Sequence, residues 1–424
     1  MRISTITLAI ALLASNIGVK GQDTLSLEYL LQKVAANNPT AKLSASYDSL
    51  SGLKRRNIKN AYLPKMDVNA EASWQSDVTS IHVPIPGIVI PTPDKDNYKV
   101  SLDVSQLIWD GGITSSQLRV EDASLAIDRV KVESEIHSLQ DKVIDLYFGI
   151  LLVNLADEQI AIMQHDLEAR IRELQVGVDN GTFLESDLLS LKAQLLKIKQ
   201  SIVSNISTKR SLAYQIYSLS EVAISDSARL EVPFHTIPIA YNCVRPDYQM
   251  FDLQNKYLED LKTLSTKKRY PKLAAYGRVG YGKPGLNMLS SSFNDFEVIG
   301  AKLSWNIWDW NTTSRERQQV KVQQSMNDIR KQAFIDNYNA QVKSSLERIG
   351  MLKEQISTDK QMVDLLQKSV SASNSKLKNG TITSSVFLTD FNSLLNAKID
   401  LQIHTVKLSQ EIFKLHHFIG EHQF

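Results

Sequence analysis

Residues 98–112 read Tyr98-Lys99-Val100-Ser101-Leu102-Asp103-Val104-Ser105-Gln106-Leu107-Ile108-Trp109-Asp110-Gly111-Gly112. Apolar and polar residues alternate as far as Ser105, which is the pattern of a strand with one apolar and one polar face. The strand runs into an Asp-Gly-Gly junction, and beyond it the period of the apolar residues changes from two to seven. A related passage stands 199 positions later: Ile299, Ala301, Leu303, Trp305 and Ile307 alternate with Gly300, Lys302, Ser304 and Asn306 and lead into Asp309-Trp310-Asn311.

This recurrence belongs to a duplication of the whole chain. Asn38-Pro39 aligns with Arg245-Pro246, and Pro64-Lys65 with Pro271-Lys272, at an offset of 207; Thr114-Ser115 aligns with Thr313-Ser314, and Asn180-Gly181-Thr182 with Asn379-Gly380-Thr381, at 199. The length difference falls between the two strands of each half, where a loop tolerates it. Each half begins with a helix opened by proline at its first turn. A first strand follows, as in Met66, Val68, Ala70, Ala72 and Trp74 against Asp67, Asn69, Glu71 and Ser73, and then the returning strand.

After each hairpin comes a heptad column: Leu118, Leu125, Val132, Leu139, Leu146, Val153, Ile160, Leu167 and Leu174 in the first half, and Ile335, Val342, Ile349, Ile356, Val363, Val370 and Leu377 in the second. These predict coiled-coil helices, the first about 100 Å long at 1.5 Å per residue. Asn180-Gly181 and Asn379-Gly380 end the columns with a turn-forming dipeptide, and return helices start at Leu184 and Phe387. The expected segments are a signal peptide over 1–21, an N-terminal helix over 22–60, a β-hairpin over 61–110, a long helical hairpin over 111–220, an equatorial linker over 221–245, a helix over 246–270, a second β-hairpin over 271–309 and a second helical hairpin over 310–424. The fold class is mainly α with a transmembrane β part.

Composition restricts the setting. Arg2 followed by an apolar stretch to Val19 reads as a secretory signal cleaved after Gly21, leaving Gln22 first; no cysteine stands there to take a lipid. Beyond it no unbroken run of 18 apolar residues predicts a transmembrane helix. With 48 basic and 46 acidic residues interspersed, there is no electrostatic footprint for nucleic acid, and the single Cys243 excludes an intrachain disulfide. Four amphipathic strands of about ten residues suit a transmembrane barrel, yet too few are present to close one. An open sheet edge is not tolerated in lipid, so such a barrel has to be shared between chains.

The Asn38-Pro39 helix start, the Ala61-Tyr62-Leu63-Pro64 strand entry, the Leu107-Ile108-Trp109-Asp110-Gly111-Gly112 exit, and Gly181-Thr182 with Asp187 at the far turn resemble the TolC-type outer-membrane efflux proteins (outer membrane factors). The resemblance spans nearly the whole mature chain. It implies a homotrimer in the outer membrane of a Gram-negative bacterium, with a twelve-stranded β-barrel continued by a periplasmic α-helical barrel. The partners implied are outer-membrane lipid, a periplasmic adaptor (membrane fusion) protein and an inner-membrane RND or ABC transporter, and the activity is that of an exit duct for efflux or type I secretion. The second half departs from the family pattern at Trp310-Asn311, in place of a Gly-Gly pair, and at Val386, which aligns with Asp187; the nearest acidic residue there is Asp390. A periplasmic adaptor or a structural coiled-coil protein is the alternative reading.

The candidate sites follow from this arrangement. The periplasmic tip, for adaptor contact and gating, comprises Asn180, Gly181, Thr182, Glu185, Asp187, Asn379, Gly380, Thr381, Ser384 and Asp390. The lipid-facing strand positions are Val68, Ala70, Val100, Leu102, Ile299 and Leu303, so a lysine is expected to be costly at Val100 and neutral at Ser101. The first hairpin tip, from about Val78 to Asn97 with Pro84, Pro86, Pro91 and Pro93, is expected outside the cell. Asp110 and Asp309 read as helix caps. His416, His417 and His422 lack a metal-ligand spacing and read as a solvated helix end. Gly277, Gly280 and Gly282 read as strand positions that relieve crowding. Trp74, Trp109, Trp305 and Trp308 fit either a core or a membrane interface. No catalytic, metal or cofactor-binding constellation emerges, and the chain reads as a non-enzyme.

Overall fold

The structure is a computed structural model, and it describes residues 24–79, 92–181, 184–226, 228–238, 241–378, 381–382 and 384–420. The expected signal peptide, Pro84, Pro86, Pro91, Thr182, Asn379, Gly380 and His422 lie outside the described residues. Helix α1 (Leu27–Asn37) opens on Ser26, whose hydroxyl accepts from the Tyr29 amide at 3.3 Å. Residues 22–60, expected as one helix, are broken at Asn38: its side chain accepts from the Thr40 amide and Pro39 starts a 3-10 turn before α2 (Lys42–Lys59). Proline lacks the N–H that would have continued the α1 ladder.

The chain continues through β1 (Lys65–Trp74), β2 (Asp96–Trp109), α3 (Ile113–Asp179), α4 (Glu185–Ser220), α5 (Pro246–Lys267), β3 (Lys272–Lys283), β4 (Asn294–Ser304), α6 (Thr312–Lys378) and α7 (Ser384–Ile419). The duplication is carried into the elements: α3 and α6 have 67 residues each, and α4 and α7 have 36 each. The strands form one antiparallel sheet in the order β1-β2-β3-β4, so the two hairpins join through β2 and β3 and leave β1 and β4 as edges. Strand β4 stops at Ser304, short of the expected Ile307. Its pairing with β3 ends where Lys272 meets Ser304, and the residues beyond have no neighbour in the sheet.

The helical hairpins α3–α4 and α6–α7 lie side by side. Contacts between α3 and α7 run antiparallel, from the stacked rings of His137 and His417, through the Gln159 amide donating to Gln402 at 3.0 Å, to the Arg170 guanidinium over the Phe387 ring at 5.1 Å. Halfway along α3, Val143, Ile144, Tyr147, Phe148 and Ile150 meet Leu27, Leu30, Leu31 and Val34 of α1, Ile216 of α4 and Phe413 of α7 in the main core. Leu25 bridges to Leu230 of the linker, and the Tyr147 hydroxyl lies 2.7 Å from the carbonyls of Leu25 and Glu231. The linker therefore girdles the middle of the helical pairs. Helix α3 nevertheless contains a stretch that is apolar enough, by length and composition, to cross a membrane. Polar residues interrupt the stretch, so it holds no unbroken run of 18 apolar residues, yet it stays apolar on average. Only 28% of that stretch is buried inside the chain.

Candidate functional site

The strand register sorts the side chains onto two faces. Val68 pairs with Leu102 and Ala70 with Val100; across the next ladder Leu102 pairs with Val279 and Val100 with Tyr281; then Gly277 pairs with Ile299 and Leu273 with Leu303. All six predicted lipid-facing residues thus share one face with Met66, Trp74, Val279 and Tyr281, and all six are exposed. Polar residues interrupt this face at Asp96, Lys283, Asp295 and Glu297 towards the hairpin ends of their strands and at Gln106 towards the helices; through the register Glu297 follows Val68, Leu102 and Val279, and Asp295 follows Ala70, Val100 and Tyr281. Trp74 closes β1 at that end, while Trp109, Trp305 and Trp308 lie at or just beyond the helix-side ends of β2 and β4; all four are exposed, so none belongs to this chain's core.

The opposite face is polar and internally linked. Asp103 accepts from Asn69 at 2.8 Å and from Arg278 at 2.5 and 2.9 Å, bridging three strands. Here two aromatic rings cover glycines across the β3–β4 ladder, Phe296 over Gly280 and Tyr276 over Gly300. A Cβ on Gly280 would lie 2.7 Å from the Val100 carbonyl as well as within the Phe296 ring, so glycine is required there. Gly282 is likewise crowded, by the Tyr98 carbonyl, whereas Gly277 is open. Ser101 stands in the row of Gly280 and Phe296 and is only 6% exposed. The expectation that Ser101 would accept a lysine freely is corrected by this packing, which alternation could not show.

At the strand-to-helix junctions both aspartates cap. Asp110 accepts from the backbone amides of Gly112 at 2.8 Å and Thr114 at 2.6 Å and from the Tyr62 hydroxyl at 2.9 Å. Burial would raise its pKa, but the hydrogen bonds from Thr114, Tyr62 and Gly112 outweigh it and hold the carboxyl below its ordinary value. Asp309 accepts from the amide and hydroxyl of Thr313. Gly111 and Gly112 have φ of 71° and 88°, and their counterparts Trp310 and Asn311 keep the left-handed form with φ of 52° and 61°. The second junction therefore repeats the first in backbone shape while lacking glycine, and the indole of Trp310 is held against Trp308 with centroids 5.8 Å apart.

At the far end, Asn180 terminates α3, Gly181 has φ of 72° and Glu185 begins α4, exposed. Asp187 lies in the first turn of α4 and Ser384 is the first residue of α7. The Thr381 amide and hydroxyl both donate to the Lys376 carbonyl at 2.9 Å, a helix-ending contact. Asp390 is hydrogen-bonded by Ser373 of α6. Because Arg170 near the end of α3 stacks on Phe387 near the start of α7, the two tips lie at one end of the molecule, opposite the sheet.

The histidines depart from expectation. His416 approaches the Thr236 carbonyl at 2.6 Å, and His417 is fully buried against α3 rather than solvated. His417, Asp141 and His137 come together, a grouping hidden in the sequence because 280 residues separate the two histidines.

The sequence matches no protein-family model and no curated protein. Among solved structures, the chain is similar to the outer membrane protein VceC of Vibrio cholerae, with 13% identity and a TM-score of 0.69 over 93% of this chain and 96% of that one. It is also similar to the CmeC outer membrane channel of Campylobacter jejuni (14%, 0.66, 93% and 85%) and to the open MtrE outer membrane channel of Neisseria gonorrhoeae (14%, 0.69, 93% and 88%). The duplicated hairpins, the four-stranded sheet and the long helical pairs together make this chain's fold that of the TolC-type outer-membrane channels.

Proposed function

We propose that three copies of this chain form an exit duct across the outer membrane, through which an inner-membrane RND or ABC transporter, coupled by a periplasmic adaptor, passes small molecules or polypeptides. The observation that carries the reading is the sheet: four strands with two open edges, one predominantly apolar face whose predicted lipid-facing residues are all exposed, and one cross-linked polar face. Such a sheet satisfies its edges in lipid only by closing with other copies, and three copies supply twelve strands, within the range of transmembrane barrels. The apolar face would meet lipid and Asp103, Arg278 and Glu71 the lumen. The chain would act as a passive conduit and not as an enzyme, in keeping with channels of the same fold. The tips at Gly181 and Thr381 would form the periplasmic entrance and meet the adaptor. Fractionation and native electrophoresis test the reading: the protein should stay in the outer membrane after a high-salt wash and run as a trimer until heated. Release by salt as a monomer would favour a periplasmic coiled-coil protein instead.

A further inference from the structure

His137 and Asp141 are one helical turn apart on α3, so their side chains share a face, and His417 in the last turn of α7 reaches that face from the second half of the chain. The two imidazoles stack with centroids 4.0 Å apart. Their Nε2 atoms are both committed to acceptors: His137 Nε2 lies 2.9 Å from the His417 carbonyl, and His417 Nε2 lies 3.3 Å from Gln140 Oε1. The Gln140 amide nitrogen itself donates to the Leu31 carbonyl at 3.2 Å, which fixes the oxygen towards His417. Each Nε2 therefore carries the hydrogen in the neutral ring, and each Nδ1 carries a lone pair.

Both Nδ1 atoms face one carboxylate, Asp141, at 3.9 Å from His137 and 2.9 Å from His417. Three acceptors then converge within 4.8 Å with no donor among them, in a place where His137 is 8% and His417 0% exposed. That arrangement requires a cation at its centre, either a proton on a ring or a metal ion. Two imidazoles and one carboxylate, each imidazole oriented by an acceptor on its far nitrogen, make the donor set and supporting shell of a divalent transition-metal site. Arg245, whose charge also reaches Asp141 and His137, is tied to Asp247 at 2.5 and 3.0 Å and lies over the Phe418 ring.

We propose that His137 Nδ1, Asp141 and His417 Nδ1 bind one divalent transition-metal ion of the zinc class per chain, clamping the end of α7 to the middle of α3. The test uses the full-length, untagged protein in detergent, stripped with a chelator. Titration with zinc chloride should give one ion per chain and raise the thermal unfolding temperature, and cobalt(II) should give visible absorption bands of a nitrogen- and oxygen-ligated site. Asp141→Asn, isosteric at a half-exposed side chain and chosen to keep the fold, and His137→Gln should weaken zinc binding by about tenfold or more. His416→Gln, one residue from the site, should leave it unchanged. Absence of zinc binding by the wild-type protein overturns the proposal and leaves a proton as the bridging cation. Binding that persists unweakened in both Asp141→Asn and His137→Gln also overturns it, by locating the metal elsewhere.

Discussion

A single lysine placed on either face of the sheet separates a lipid-facing surface from a lumen-facing one. Val100 is 53% exposed in the chain and pairs with Ala70 on one side and Tyr281 on the other. Ala70 stands four residues from Trp74 and five from Lys65, about 13 and 16 Å along the strand at 3.3 Å per residue. Strand tilt shortens both, so Val100 falls near the middle of an apolar band about 25 Å tall. A lysine there should cost about 2–4 kcal/mol per chain, or about 6–12 kcal/mol for three copies, enough to deplete the assembled form. Asn69 is the matched control: it adjoins Ala70, lies at the same height, points to the polar face and already reaches Asp103 at 2.8 Å. Lysine at Asn69 would gain the Asp103 carboxylate as a neighbour and should assemble normally. The assay is the yield and heat stability of trimer in outer membranes, read on unheated gels against total protein. Equal yields for Val100→Lys and Asn69→Lys would refute the assignment of the faces.

Two further outcomes follow. Asp110→Ala removes the acceptor for two backbone amides and the Tyr62 hydroxyl, and should lower stability by about 2 kcal/mol, at the upper end for a helix cap, in chemical unfolding of the detergent-solubilised protein. Because the carboxyl titrates below its ordinary 3.8, its contribution is complete above that value and is lost as pH falls through the folded pKa, so wild type and variant should converge in acid. At the tips, Asp187→Leu or Thr381→Leu should leave trimers in the outer membrane and reduce export, measured as drug accumulation in intact cells; normal export with intact trimers would remove these residues from docking and gating.

Periodicity made much of this fold legible. A strand whose odd and even residues differ, as at Val100 and Ser101, announces its faces, and a column such as Leu167 and Leu174 announces the helix side that becomes buried. The duplication pairs the elements of the two halves through residue spacing alone, and the equal lengths of α3 and α6 follow from it. Contacts between distant segments were not legible. Ser101 belongs by alternation to an exposed polar face, but Phe296, nearly 200 residues on, closes over its row. His417 has polar and apolar neighbours in sequence like any helix end, and only the antiparallel packing of α7 on α3 brings it to Asp141. The break at Asn38-Pro39 was visible in its residues, yet α1 before it depends on a core supplied by α3, α4 and α7.

The same duplication predicts where copies of the chain meet. Within one chain α3 packs against α7, with Gln159 donating to Gln402 at 3.0 Å. Advancing Gln159 by the repeat offset gives Thr358 of α6, and moving Gln402 back by it gives Val203 of α4. These equivalents do not meet inside the chain: α4 and α6 form no extended contact among the described residues. Both are exposed, Val203 by 68%. Val203 also continues a stripe of exposed apolar residues, Leu189 and Leu196 at heptad spacing, along α4. An apolar heptad stripe without a partner is a helix-packing seam, and a closed ring of pseudo-equivalent hairpins would supply the missing partner as α6 of the next copy. With Cys243 replaced by serine, Val203→Cys together with Thr358→Cys should therefore be joined by a short bismaleimide into dimers and trimers on denaturing gels. The control pair Gln159→Cys and Gln402→Cys should be joined within one chain and stay monomeric. If the control links and the Val203–Thr358 pair does not, the hairpins do not close into a ring in the order the duplication implies.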